Sequence, residues 1–258
     1  MATAPDGTAI SWSRIGAGDP VVLVHGITES AASFEPVAQR LAASHEVITL
    51  DLRGHGESGK ADTYDLAAMA SDVLAVVAVA GVESPHLVGH SLGGAVVTAT
   101  GASGTVASVI DIDQSLQLGA FKDQLIGAEA MLRDSEQYTL VLDAMFEMMG
   151  GELLPSEERQ RLDELRHADQ DVVLGVWDML LTQPVEEIAA TVDAALAPYG
   201  TSSVPYLALF GLDPGDDYAE WLAQRIPTSV VEFWPEYGHY PHLVDPDRFV
   251  ERANSFWQ

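Results

Sequence analysis

The 258-residue chain is 47% hydrophobic, enough for one sizeable core without metal or disulfide staples, and its lack of cysteine excludes disulfides and thiolate chemistry. A formal net charge of -27 disfavours nucleic acid, anionic lipid and anionic substrates at long range. The longest apolar run, Val73 to Val82, is shorter than the ~20 residues of a membrane span, and the opening MATAPDG lacks a signal-peptide pattern, so a soluble, cytoplasmic protein is expected.

In chain order, Thr8 to Ser13 mixes polar and apolar residues like a half-exposed strand. Val21 to Val24 is a continuous apolar run, as a strand covered on both faces requires. Ala31 to Ala43 predicts a helix, and Glu46 to Leu50 another short strand. Asp65 to Ala80 has a helical pattern closed by Gly81. His86-Leu87-Val88 reads as a strand, Leu92 to Ala102 as a helix, and Val106 to Ile112 as a further buried strand. From about Gln114 to Ser203 the rhythm changes to amphipathic helices without a convincing buried strand. Strand character returns at Val204 to Phe210, followed by a helix at Tyr218 to Arg225, a last strand at Val230 to Trp234 and a closing helix from Pro246 to Trp257.

Strands alternating with helices predict an α/β fold: a three-layer, mostly parallel sheet. Residues 1–113 and 204–258 should form the core, with 114–203 inserted as a helical cap. The cap contains Met131, Met145, Met148, Met149, Met179 and Trp177, which could roof a forgiving apolar pocket or simply pack helix on helix.

Gly89-His90-Ser91-Leu92-Gly93 has the pattern G-x-S-x-G between an apolar strand and a helix. A sharp strand-to-helix turn needs small residues on both sides of the serine. It would lift the hydroxyl above the sheet edge, with a helix N-terminus facing developing negative charge. Asp51 to Ser58 is glycine-rich but lacks the Lys-Ser/Thr ending of a phosphate loop, and should be a tight turn supporting the pocket floor. No H-E-x-x-H or comparable spacing supports a metal, and no cofactor is expected.

Nearly the whole chain resembles the α/β-hydrolase fold family, specifically its serine esterase, lipase and lactonase-like members with a helical cap. The resemblance is carried by Asp6-Gly7-Thr8, Gly16-Ala17-Gly18, His25-Gly26, Asp51 to Ser58, the Ser91 turn, and Gly238-His239-Tyr240-Pro241-His242-Leu243, all in the family's order. It implies that Ser91 is a nucleophile and His239 its general base. Asp213, after the strand ending at Phe210, is the preferred third member, and Asp113, after the strand ending at Ile112, is its rival. It also implies an oxyanion hole made by the backbone N–H groups of Ile27 and Leu92. His242 should pack or hydrogen-bond. His25, His55 and His90 should be structural or line the pocket, and His45, His86 and His167 should serve no chemistry.

The activity implied is hydrolysis of a small-molecule carboxylic ester, lactone or thioester through an acyl-enzyme on Ser91. The acidic surface favours neutral, modest-sized acyl groups. Two alternatives share these residues: C–C bond hydrolysis or cofactor-free haloperoxidase-like chemistry, and a ligand receptor that retains the triad.

Overall fold

The structure is a computed structural model describing residues 1–258. Two short strands, β1 (Ala2–Thr3) and β2 (Ala9–Ile10), form an antiparallel pair at the N-terminus. The expected strand at Thr8 to Ser13 is therefore broken, and the chain enters the main sheet only at β3 (Trp12–Gly16). The other main-sheet strands are β4 (Asp19–Val24), β5 (His45–Leu50), β6 (His86–His90), β7 (Ser108–Ile112), β8 (Tyr206–Phe210) and β9 (Ser229–Phe233). Their order is β3-β5-β4-β6-β7-β8-β9, with β3 antiparallel to β5 and every other pair parallel.

Strand alternation splits the core into two layers. Val21 and Leu23 of β4 join one apolar cluster, and Val22 and Val24 join the other. Both faces are thus covered, which explains the uninterrupted apolar runs in the sequence. Around the sheet lie α1 (Glu35–Leu41), α2 (Leu66–Ala80) and α3 (Leu92–Ser103). The predicted helix at Ala31 to Ala43 begins instead as a 3₁₀ turn over Ala31–Phe34, because Pro36 can enter a helix only in its first turn.

Between β7 and β8 the chain forms only helices: α4 (Gly119–Leu132), α5 (Tyr138–Met148), α6 (Ser156–Leu165), α7 (Gln170–Val176), α8 (Asp178–Thr182) and α9 (Val185–Leu196). Leu125, Leu142, Phe146, Trp177 and Leu180 bury their side chains in the same cluster as Ile27, Ile112 and Tyr240, so this insertion packs over the C-terminal ends of the strands. Its far end does not stand apart: α9 packs against α3, and Leu196 and Tyr199 belong to the other core layer. The chain closes with α10 (Tyr218–Ala223), α11 (Pro241–Val244) and α12 (Pro246–Phe256). None of the helices is long and apolar enough to cross a membrane.

Candidate active site

Ser91 sits between β6 and α3 with φ 51° and ψ -123°, a left-handed backbone that a non-glycine residue adopts only under strain. The turn closes because its neighbours are small. A Cβ on Gly89 would lie 2.0 Å from the Gly93 carbonyl oxygen, and one on Gly93 would lie 2.1 Å from that of Val24. Any side chain at either position would push the turn apart. The Ser91 amide donates to the Ile112 carbonyl at 2.9 Å, pinning the turn to β7.

His239 lies in the loop before α11 and is buried. Its backbone amide donates to the Met149 carbonyl at 2.9 Å, so the insertion holds this loop. Its Nδ1 lies 2.5 Å from Asp113 Oδ2. The other oxygen, Asp113 Oδ1, accepts the amides of Gly211 at 2.7 Å and Leu212 at 2.9 Å. A carboxylate so placed only accepts, so Nδ1 carries a proton, and in the neutral tautomer of the ring Nε2 is left with its lone pair. Asp113 reaches this position by turning at φ 55° directly after β7, a conformation that aspartate tolerates better than most residues.

The preference for Asp213 is corrected here. Asp213 is exposed, three residues beyond β8, and its Oδ1 accepts the Gly215 amide at 2.9 Å in a local turn. The chain bends outward after Leu212, and Gly211 packs so closely on the histidine loop that a Cβ there would meet the Gly238 oxygen at 1.8 Å. The carboxylate facing His239 therefore comes from the β7 end and not the β8 end.

Ser91, His239, Ile27 and Leu92 line one cavity of about 100 Å³. Leu92 opens α3, where the first turn's N–H groups have no partner within the helix. Ile27 stands in the loop after β4, followed by Thr28 at φ 63°, another strained left-handed residue that fixes the direction of this loop. Met145, Met149, Met179 and Trp177 line the same cavity, with Phe121 edge-on to Trp177 at 5.8 Å. Met131 and Met148 are turned to the surface.

The remaining histidines divide by surroundings. His25 Nε2 accepts the Leu52 amide at 3.0 Å, so Nδ1 carries the proton and donates to the Gly26 carbonyl at 2.7 Å. Burial lowers its pKa, as it does that of His55, which is pulled down to about 4. His242 is fully buried with no hydrogen-bond partner on either ring nitrogen, and burial drives its pKa well below the ordinary value. It is a packing residue. His86 bonds Ser108 at 2.8 Å and stacks on Trp257, and His45 meets the same ring edge-on. The backbone amide of His167 donates to the Thr28 carbonyl at 2.8 Å. The Asp51 to Ser58 loop is a tight turn bound by Asp51, whose oxygens accept the amides of Ala31 at 2.7 Å and Glu57 at 2.9 Å, but none of its residues lines the Ser91 cavity.

One arrangement has no counterpart in the sequence reading. His90 donates from Nε2 to the His239 carbonyl at 2.9 Å, and its Nδ1 lies 3.6 Å from Glu29 Oε1. The Gly26 amide approaches Glu29 Oε2 at 3.4 Å. Burial opposes the charge on Glu29, but the adjacent His90 ring outweighs it and holds the carboxyl below its usual range. His90 thus ties the serine turn to the histidine loop, while its Nδ1 has no hydrogen-bond partner and faces Glu29 of the loop after β4. The available signal was an acid set five residues beyond the apolar run Val21 to Val24, in a loop otherwise lacking acidic or basic residues apart from His25.

The sequence profile of the alpha/beta hydrolase family matches residues 21–252. The chain is 32% identical over 270 residues to a pimeloyl-[acyl-carrier protein] methyl ester esterase of Aliivibrio salmonicida, with 97% of each chain covered. Its fold is similar to that of an esterase from Exiguobacterium antarcticum, with a TM-score of 0.79, 24% identity, and coverage of 100% of this chain and 99% of the other. An epoxide hydrolase, CorEH, is similar at a TM-score of 0.78 and 19% identity, covering 100% of this chain and 97% of the other. A fold shared by esterases and an epoxide hydrolase does not choose the reaction, so the choice rests on the residues at the site.

Proposed function

From the premise that this chain belongs to the alpha/beta hydrolase family and is a hydrolase acting on ester bonds, we propose that it works through an acyl-enzyme on Ser91. The observation that carries the reading is the orientation of His239. Its Nδ1 proton is held by Asp113, and its ring lines the cavity that Ser91 also lines.

In the first half-reaction Ser91 Oγ attacks the substrate carbonyl carbon and His239 Nε2 takes the hydroxyl proton. The carbonyl oxygen becomes an oxyanion, for which the amides of Leu92 and Ile27 are the donors. Asp113 keeps the imidazole in the required tautomer and stabilises it while it is charged. Collapse breaks the C–O bond, and His239 returns its proton to the departing alcohol. Water then attacks the acyl-serine ester, gives a proton to His239, and the acid leaves as Ser91 regains its hydrogen. The roof of Met145, Met149, Met179 and Trp177 acts as a cap that keeps the site apolar. Together with the net charge of -27 it favours neutral substrates over anionic ones.

The test combines labelling and turnover. A fluorophosphonate probe should modify Ser91 alone, and Ser91→Ala should lose p-nitrophenyl butyrate hydrolysis down to the ~10³–10⁴-fold residue left by binding and oxyanion contacts. An alanine variant with near wild-type turnover would refute the mechanism. A single burst without further turnover would favour the receptor reading instead.

A further inference from the structure

The cavity beside Ser91, at about 100 Å³, is smaller than the ~300–1,000 Å³ usual for a small-molecule pocket. It takes the reacting group and little more. Adjoining it is a second cavity of about 950 Å³, between α2 and α3 on one side and the insertion on the other. The two share a partition of five residues: Leu66 at the start of α2, Ala95 in α3, Leu118 just before α4, Val176 at the end of α7 and Met179 in α8. All five are only half-buried although they stand between core and insertion, so the surface they leave open faces the cavities. None carries a polar side chain, so an apolar group could pass between them without stripping water from a hydrogen-bonding group.

The floor of this space is a single face of α3. Leu92, Ala95, Ala99 and Ala102 follow one another at steps of three and four residues, which places them in line. Leu92 borders the Ser91 cavity, Ala95 borders both, and Ala99 and Ala102 border the large one. At 1.5 Å per residue the face runs for about 15 Å away from the nucleophile. The outer lining carries Asp62, Asp65 and Asp178, and its only basic residue, Arg133, is already paired with Glu129 at 2.8 Å. That lining repels a chain ending in a carboxylate.

We infer that the large cavity is the chain-binding site of the enzyme, taking an unbranched, uncharged aliphatic chain of the ester while the small cavity holds only the ester group. This rests on the reading of Ser91 as nucleophile. It extends the sequence expectation of modest-sized acyl groups to long ones. The chain could be on the acyl or the alcohol side of the bond, since both leave the carbonyl carbon at Ser91.

The experiment measures kcat/KM in two series kept below their micellar concentrations: p-nitrophenyl acetate, butyrate and decanoate, and ethyl, butyl and decyl acetate. The wild-type enzyme should prefer the long member of one series, and which series it is identifies the side carrying the chain. An analogue of the preferred long ester whose chain ends in a carboxylate should be the poorer substrate. Ala99→Phe, which narrows the large cavity at a distance from Ser91, should lower kcat/KM for the preferred long ester about tenfold or more, the loss of burying two methylenes. Its rate on ethyl acetate, which is short on both sides of the bond, should match wild type. Ala102→Phe provides the same test further along the floor if Ala99→Phe does not fold.

A wild-type kcat/KM that falls with length in both series overturns the inference without any variant, as does a preference for the carboxylate-ended chain. Equal losses on short and long esters in both variants also overturn it. Failure of the underlying mechanism looks different: Ser91→Ala would keep its turnover whatever the chain length.

Discussion

The inner strands of the sheet and the insertion bury their apolar residues to different degrees, while the edge strand β9 leaves Val230 and Phe233 more than 40% exposed. Val21, Val22, Val24, Val88, Ile110 and Leu209 in the strands have no solvent exposure at all. In the insertion, Leu140 and Met148 are more than half exposed, and Ile126, Met131 and Leu153 are more than 40% exposed. The strands fix the ends that carry Ser91 and Asp113, where a small displacement would cost rate. The insertion supplies cavity walls, where a changed side chain alters what fits and leaves the reacting geometry in place. On the proposed mechanism, chemistry and selectivity thus fall to parts of the chain with different tolerance for change.

The largest effect that would sharpen this contrast is at the β7 end. Asp113→Asn should lower kcat by up to about 10⁴, by the serine-protease precedent for a lost acid, with the circular dichroism spectrum unchanged. Asp213→Asn, on an exposed turn, should leave kcat within about twofold of wild type, as surface substitutions usually do. A severe Asp213→Asn alongside a mild Asp113→Asn would break the assignment of chemistry to the β7 end.

A smaller effect, on stability, is expected one turn of the pleat earlier. Asp111 is fully buried in β7, where burial raises its pKa well above the ordinary aspartate value, and it accepts the Tyr206 hydroxyl at 3.2 Å. Between the unfolded and the folded pKa the unfolded chain is ionised and the native one protonated. Folding therefore takes up a proton, and stability falls as pH rises through that window. Asp111→Asn removes this cost and can still accept from Tyr206. It should raise Tm by several degrees near pH 8, with the gain shrinking to nothing by about pH 4. A gain that is independent of pH would mean that the native carboxyl is ionised.

The smallest effect belongs to the outer face of the insertion. Leu140→Gln, at a position 60% exposed, should change stability by no more than about ±0.5 kcal/mol in thermal denaturation. A loss beyond about 2 kcal/mol would mean that this face is covered in solution, and the contrast between sheet and insertion would not hold there.

The strained turn at Ser91 and the glycine-led loop at His239 were legible in the sequence because local constraints mark them. Gly89 and Gly93 are required by contacts that a Cβ could not make, and that requirement shows as a spacing. The carboxylate that faces His239 was not legible in the same way. Asp113 and Asp213 both follow a buried strand, and the choice depends on which strand end the histidine loop crosses, a matter of tertiary placement. Glu29 was missed for a related reason, since its partner His90 is 61 positions further along the chain and meets it only once β4 and β6 are paired. The large cavity is formed by faces of helices far apart in sequence, so no local period announces it. The strands themselves were read within one or two residues, except the first, where a short run with mixed polarity left the break after Ile10 undetermined.

The bond from the His239 amide to the Met149 carbonyl limits how modular the molecule can be. The insertion is a tempting unit to exchange for that of a relative when new selectivity is wanted. Yet the end of α5 supports the loop that carries His239, and Gly238 lies against the same carbonyl so closely that a Cβ there would stand 3.0 Å from it. A graft that matched every cavity-lining residue but moved this one carbonyl would still lose the support of the histidine loop. Successful chimeras should therefore share a crossover point that keeps Met149 and Gly150 with the core.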